Sequence, residues 1–278
     1  MRFILCAAAL AVLLPACEMT TQLSTGQGYL EGYDRYALKG AGGADAAKGE
    51  AAAKSIDAKV RKAAAVEPHL AFPARIGLAR IEYGGLAPVP PAEADAWLAL
   101  AGRLSPWLGE FVPISPLIAS FAAADAAPGE GPGSGRDHFR YDTRYDVTER
   151  VVQQIRVGAA RQHVDYVLVY EVLGDSSDEL TPLSVLDLSI VGMFLVPSRS
   201  LEATSTANAI LIDVRNGYPY GTARGAAEDS RLSPNAGSTD RRRNLFQRTK
   251  VAAVADLTKN VETMARDLYA KAQQQAKK

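Results

Sequence analysis

The sequence predicts an α/β (α+β) protein in which one mixed β-sheet carries packed helices, in the element order β-α-β-α-β-β-β-α. Three observations predict it. Asp165–Leu173 (DYVLVYEVL) is nearly continuous in β-branched, aromatic and other apolar residues, the mark of a central strand buried on both faces. Val147, Val151, Ile155 and Ala159 recur at every fourth position, and Leu245, Val251, Val254, Leu257, Val261, Met264 and Leu268 form a second stripe, so Thr143–His163 and Asp240–Gln275 read as amphipathic helices. Asn216-Gly217 separates two strand patterns, Leu201–Val214 and Tyr218–Ala226, and suits the positive φ angles of a type I′ hairpin.

The remaining elements follow in chain order. Arg75–Tyr83 (RIGLARIEY), closed by Gly84-Gly85, reads as the first strand. Pro90-Pro91 then precedes Ala94, Trp97, Leu98 and Ala101 at helical spacing. Phe111–Ile118 (FVPISPLI) reads as a second strand whose prolines Pro113 and Pro116 restrict it to an edge or a bulge. Ala122–Arg136 is a Pro/Gly-rich loop, long for a compact domain.

The amino terminus, MRFILCAAALAVLLPAC, has a basic Arg2 and a twelve-residue apolar run, Phe3–Leu14. As a helix that run rises about 18 Å, too short for a hydrocarbon core of roughly 30 Å, so residues 1–16 are expected to be an export signal. Leu14-Pro15-Ala16-Cys17 resembles the lipobox of bacterial lipoproteins, where the cysteine is acylated and becomes the first mature residue. By the same resemblance Glu18, in place of Asp, implies the outer membrane, with the domain on the periplasmic side. Cys6 would leave with the signal, so the mature chain would keep Cys17 alone and no internal disulfide. Residues 17–70 are rich in Ala, Gly, Lys, Thr and Gln and are expected to form a tether, partly helical or disordered, ahead of a domain over 71–278. Within it Tyr29, Tyr33 and Tyr36 fall inside eight residues, either strapping the tail to the domain or docking a partner.

Leu183–Val196 is the least polar internal stretch. Fourteen residues rise about 21 Å as a helix, Asp187 sits near the middle, and the pattern does not alternate at period two. It is expected to be a buried or half-buried segment crossing the domain toward the hairpin. The alternative is an apolar contact surface, with Ile190 and Phe194 as its contacts.

The order of elements, with RIGLARIEY, VDYVLVYEV and LIDVRNGYPYG (Leu211–Gly221), resembles the α/β domain shared by the curli-secretion lipoprotein CsgG, the amino-terminal domain of TolB and related outer-membrane lipoproteins. LSIVGMFLVPS (Leu188–Ser198) ahead of LIDVRNG is similar to the rhombotarget lipoproteins. That resemblance covers roughly Phe72 onward and implies no established chemistry.

Composition narrows the partners. Thirty-one basic and thirty-one acidic residues give no long-range attraction to nucleic acid. His69, His138 and His163 are too scattered for a metal cluster, and no cofactor is expected. No Gly-x-Ser-x-Gly elbow occurs, and Gly129–Gly135 lacks the Lys-Ser/Thr of a phosphate loop. Asp175, Asp178 and Glu179 lack the glycine and later glutamate of a calcium loop and read as a solvated turn; Arg241–Arg243 reads as an exposed helix start. No catalytic constellation is found and no enzyme is expected. Two functions stay open: a lipid-anchored accessory that binds an unidentified envelope protein, and a CsgG-like membrane-associated homo-oligomer in secretion or transport.

Overall fold

Tyr166–Tyr170 is buried at every position and forms the axis of a seven-stranded sheet. The computed structural model describes residues 19–32, 58–124, 143–184, 193–194 and 196–277. Its strands are β1 (Met19–Thr21), β2 (Ala74–Glu82), β3 (Gly85–Ala87), β4 (Gly109–Pro113), β5 (Tyr166–Leu180), β6 (Arg199–Asp213) and β7 (Pro219–Ser233). The longer helices are α1 (Pro91–Leu108), α2 (Pro116–Ala124), α3 (Thr143–Arg161) and α4 (Ser238–Gln275). The strand order is β1-β7-β6-β5-β2-β3, with β4 also on β2. β2 runs parallel to β4 and β5, and every other pair is antiparallel. The expected mixed sheet with packed helices is therefore present.

Helices cover both faces. Trp97, Leu100, Leu104 and Leu108 of α1, at spacings of three and four, bury the same side of the sheet as Leu257, Val261 and Leu268 of α4. Ile155 and Ala159 of α3 pack with Val167, Val169 and Ile212 on the other side. β4 pairs only with β2, as a proline-bearing edge strand should. The second strand expected through Ile118 stops at Pro113, and Pro116 instead opens α2. A proline with fixed φ and no N–H fits the first helical position, where that donor has no partner anyway.

The expected strand over Asp165–Leu173 runs on to Leu180. Leu180 pairs with Arg199, so β5 and β6 form one hairpin, and β7 continues beside β6 to Ser233. Beyond Ile81↔Glu171, where the pairing of β5 with β2 ends, these three strands form an arm about 30 Å long, at 3.3 Å per residue. Leu245 and Phe246 of α4 pack on Leu201 and Ala203 along one face of the arm. Its opposite face carries the exposed Asp175, Glu202, Thr204 and Glu228.

Residues 185–192 and 195 of the apolar stretch, expected to cross the domain, lie outside the described residues. Thr181 N–H bonds Ser198 O (2.8 Å), so the chain leaves and re-enters at one point on the arm's end. The expected two-residue turn is longer. Val214–Tyr218 connects β6 to β7, Gly217 alone has positive φ (79°), and Asn216 Oδ1 accepts from Tyr218 N–H (2.9 Å). Val214 N–H reaches Asp165 O (3.1 Å) and Asn216 Nδ2 reaches Glu67 O (2.8 Å), so distant segments hold this turn.

The stretch expected as a tether is packed at both described ends. Met19–Thr21 pairs with Gly221–Ala223, and Gln22 N–H donates to Tyr220 O (2.8 Å). His69 and Ala71 hydrogen-bond the hydroxyls of Tyr220 and Tyr166. Between them, residues 33–57 lie outside the described residues, as do 125–142 of the expected loop.

A Cβ at Gly225 would sit 2.2 Å from Leu257 N and 2.5 Å from Ala253 O, so α4 approaches β7 by way of the missing side chain. Gly225→Val is expected to force that helix off the sheet and leave no cooperative thermal transition. Gly217→Val, which strains one turn only, is expected to cost about 1 kcal/mol or more of unfolding free energy by denaturant titration.

Candidate interaction surface

The arm's end is held firmly. Asp178 is bridged by Arg199 (3.0 Å) from β6 and Arg242 (3.2 Å) from α4, and Arg199 also donates to Asn235 Oδ1 (2.8 Å). Ala236 N–H bonds Met193 O (3.0 Å), which ties the returning apolar segment to the turn before α4. Asp178 therefore belongs to a strand and an ionic clip, where a solvated turn was expected. Arg242 joins that clip, and Arg241 donates to Ser233 Oγ (3.0 Å) and Ala236 O (2.9 Å), so the basic run is the start of α4.

On this base stand four exposed apolar side chains: Leu180 (65% exposed), Leu183 (47%), Phe194 (58%) and Leu232 (66%). Register places Leu180 beside Arg199 and Leu232 beside Ser200, so the two leucines reach the end of the arm on opposite faces of the ribbon. Among the described residues, these apolar side chains cap the end of a ribbon whose adjacent residues Glu179, Arg199 and Ser200 are polar.

Of the residues expected at an interaction surface, Phe194 lies in this cap. Tyr29 is exposed (59%) in a helical turn over 27–32. It follows Ser24, whose carbonyl accepts from Tyr218 OH (2.9 Å) at the opposite end of β7, so Tyr29 and Phe194 do not share a surface. Cys17, Tyr33 and Ile190 lie outside the described residues. Leu180 and Leu232 were not legible as contacts, because each is a lone leucine among polar residues until the strand register brings both to the end of the arm; Leu183 opens the apolar stretch itself.

Two buried polar clusters are closed on themselves. In the first, Arg80 of β2 donates to Glu93 Oε2 (3.0 Å) at the start of α1, and Tyr170 OH donates to the same oxygen (2.9 Å). Arg80 also reaches Glu82 (2.7 Å). Burial opposes the charge on Arg80, yet the Glu82 hydrogen bond and both carboxylate charges hold its pKa above the ordinary value. The Arg80 hydrogen bond holds Glu82 below the usual glutamate range. Burial, then the charge on Glu93, pushes the Tyr170 hydroxyl well above its ordinary value. In the second cluster, the fully buried Asp213 accepts from Tyr220 OH (2.9 Å) and Arg215 N–H (2.8 Å), while Tyr166 OH donates to His69 O (3.0 Å). Both clusters act as struts between the sheet and the segments packed on it.

Among the described residues, no group of three or more His, Cys, Asp or Glu is placed to hold a metal ion. Nor is any described helix long and apolar enough to cross a membrane.

The geometry thus defines a mixed α/β sandwich with a projecting three-stranded arm. No protein-family profile and no curated protein matches the sequence. Among solved structures, the chain is similar to the PelC dodecamer from Paraburkholderia phytofirmans at 15% identity, over 73% of this chain and 91% of that one, with a TM-score of 0.30. It is similar to lipoprotein GNA1162 from Neisseria meningitidis at 16% identity, over 61% and 92%, with a TM-score of 0.28. For protein CT253 from Chlamydia trachomatis the values are 12%, 72% and 95%, and 0.22. Superposition at that level is too loose to define a shared architecture.

Removing the cation from the first cluster tests its role as a strut. Arg80→Met strands a buried carboxylate and is expected to cost about 3–5 kcal/mol in chemical denaturation. Arg80→Met combined with Glu93→Leu should recover much of that loss, because the carboxylate then left without its cation, Glu82, is part-exposed to water whereas Glu93 is buried.

Proposed function

We propose that this chain is a lipid-anchored lipoprotein of the bacterial outer membrane, facing the periplasm, that works without catalysis as a binding or assembly accessory to another envelope protein. The observation that carries the reading is the set of exposed apolar side chains, Leu180, Leu183, Phe194 and Leu232, at the end of a well-braced arm that is polar along most of its length. Exposed apolar side chains gathered at one end of a polar element mark contact sites, and a rigid scaffold presents them at low entropic cost. The lipobox-like Leu14–Cys17 supports the anchor.

The alternative, a CsgG-like membrane-associated oligomer in secretion or transport, fits the arm less well. A hairpin inserted in lipid needs one apolar face. This arm carries Asp175, Glu202 and Glu228 on one face and the Asp178–Arg199–Arg242 clip on the other. The cap therefore meets a protein surface above the membrane.

Two substitutions test these statements. Cys17→Ser is expected to release the protein from sedimented outer membranes after a high-salt wash, since stable anchoring needs more than one acyl chain; retention would point to a second anchor. Phe194→Asp is expected to leave the melting temperature within experimental error and to abolish the protein's cross-links to its envelope partner. A misfolded variant would place Phe194 in the core, and unchanged cross-links would remove the cap from the interface.

A further inference from the structure

The long helix α4 carries eight basic and four acidic residues, and its charges are not evenly spread. Arg248, Lys259 and Arg266 lie 7, 18 and 25 residues after Arg241, and at about 100° per residue all four fall within roughly 20° of one another. All four are exposed, and the stripe runs opposite the buried Val254, Leu257, Val261 and Leu268. Ala252 and Ala270 fill the same stripe, and no carboxylate lies within it. Two of its cations are paired at the stripe's flanks, Lys259 with Asp256 (3.3 Å) and Arg266 with Glu262 (2.8 Å), but both pairs are solvent-exposed and weak, and the excess of eight basic over four acidic residues along α4 gives the outer side its sign. Across the sheet the sign reverses: among the described residues, the part of that face beyond α3 presents Asp175, Glu179, Glu202 and Glu228 against one cation, Arg224.

The position of the chain's start relates this polarity to the membrane. Met19 is paired with Ala223 at the sheet edge, and the next residues are strapped to the last turns of α4: Thr21 Oγ1 donates to Asp267 and accepts from Lys271 Nζ (2.6 Å), and Gln275 Nε2 donates to Leu23 O (3.1 Å). Cys17 is two residues before Met19, a reach of at most about 7 Å. The headgroup zone of one leaflet is itself roughly 5–8 Å thick. An acylated Cys17 therefore sets the β1 edge against the headgroups and allows the domain only to pivot about that edge. The acidic sheet face is repelled by an anionic bilayer, and the basic stripe of α4 is attracted to it.

We propose that the corner between β1 and the outer face of α4 rests on the phospholipid bilayer, with Arg248, Lys259 and Arg266 against anionic headgroups. This rests on the lipoprotein reading above and adds an orientation to it: the acidic sheet face turns toward the periplasm and α4 lies along the membrane.

The test uses the mature, acylated protein in vesicles of phosphatidylethanolamine and phosphatidylglycerol that contain a headgroup nitroxide lipid. With Cys17 blocked by its acyl group, one added cysteine is a unique labelling site. Fluorophores at Ala252→Cys and Ala270→Cys, about 27 Å apart along α4, are expected to be quenched several-fold more than fluorophores at Glu202→Cys and Tyr83→Cys. Replacing phosphatidylglycerol with phosphatidylcholine is expected to reduce that difference. Equal quenching at all four positions, or stronger quenching at Glu202→Cys, overturns the orientation while the lipoprotein reading stands. A mature-chain mass without acyl groups overturns both.

Discussion

The close approach of α4 to β6 and β7 is the constraint on which the rest of the structure depends. The seam is made of small residues: Ala207 and Ala209 on β6, Gly221, Ala223 and Gly225 on β7, and Ala253 and Ala265 on the helix. Small residues bring backbone near backbone, so Leu257, Met264 and Leu268 reach the sheet floor and are almost completely buried. Because the helix runs the length of β7, it supports the arm at one end and holds the first described residues of the chain at the other.

That single helix also separates two kinds of surface. Its inner side fixes the arm through Leu245, Phe246 and Arg242, and the apolar tip needs this support because a ribbon exposed on both faces is marginal by itself. Its outer side is polar and basic. The buried clusters around Glu93 and Asp213 complete the body by joining α1 and residues 66–72 to the sheet. In each, a carboxylate removed from water is stabilised by a guanidinium or a backbone N–H and by a tyrosine hydroxyl, an arrangement that tolerates loss of one partner poorly.

Much of this was legible in the sequence where burial leaves a period. The run Tyr166–Tyr170 and the stripes of α1, α3 and α4 are core-facing, and apolar periodicity located them. The outer half of β5, GDSSDEL, shows no such period because neither face of it enters the main core, and only pairing with β6 makes it a strand. α2 was hidden by Pro116, a residue that suits both an edge strand and a first helical turn. β1 is three residues, MTT, and gains its place only from the edge of β7. The Asn-Gly turn was mistyped because contacts from Asp165 and Glu67, far away in the chain, set its geometry. The candidate surface was half legible: Phe194 stands in an obviously apolar segment, whereas Leu180 and Leu232 depend on register.

The central claim is that the arm is a rigid extension of the core, so that its tip is a preformed contact surface. Hydrogen exchange followed by mass spectrometry on the mature protein tests this directly. The account predicts that amides of Ser200–Thr206 and Ala227–Arg231 exchange slowly, in the same class as Val167–Tyr170, because α4 and the Asp178 clip hold the three strands as one cooperative unit. Exchange of the arm amides at the rate of an unstructured peptide, with the body still protected, would contradict it.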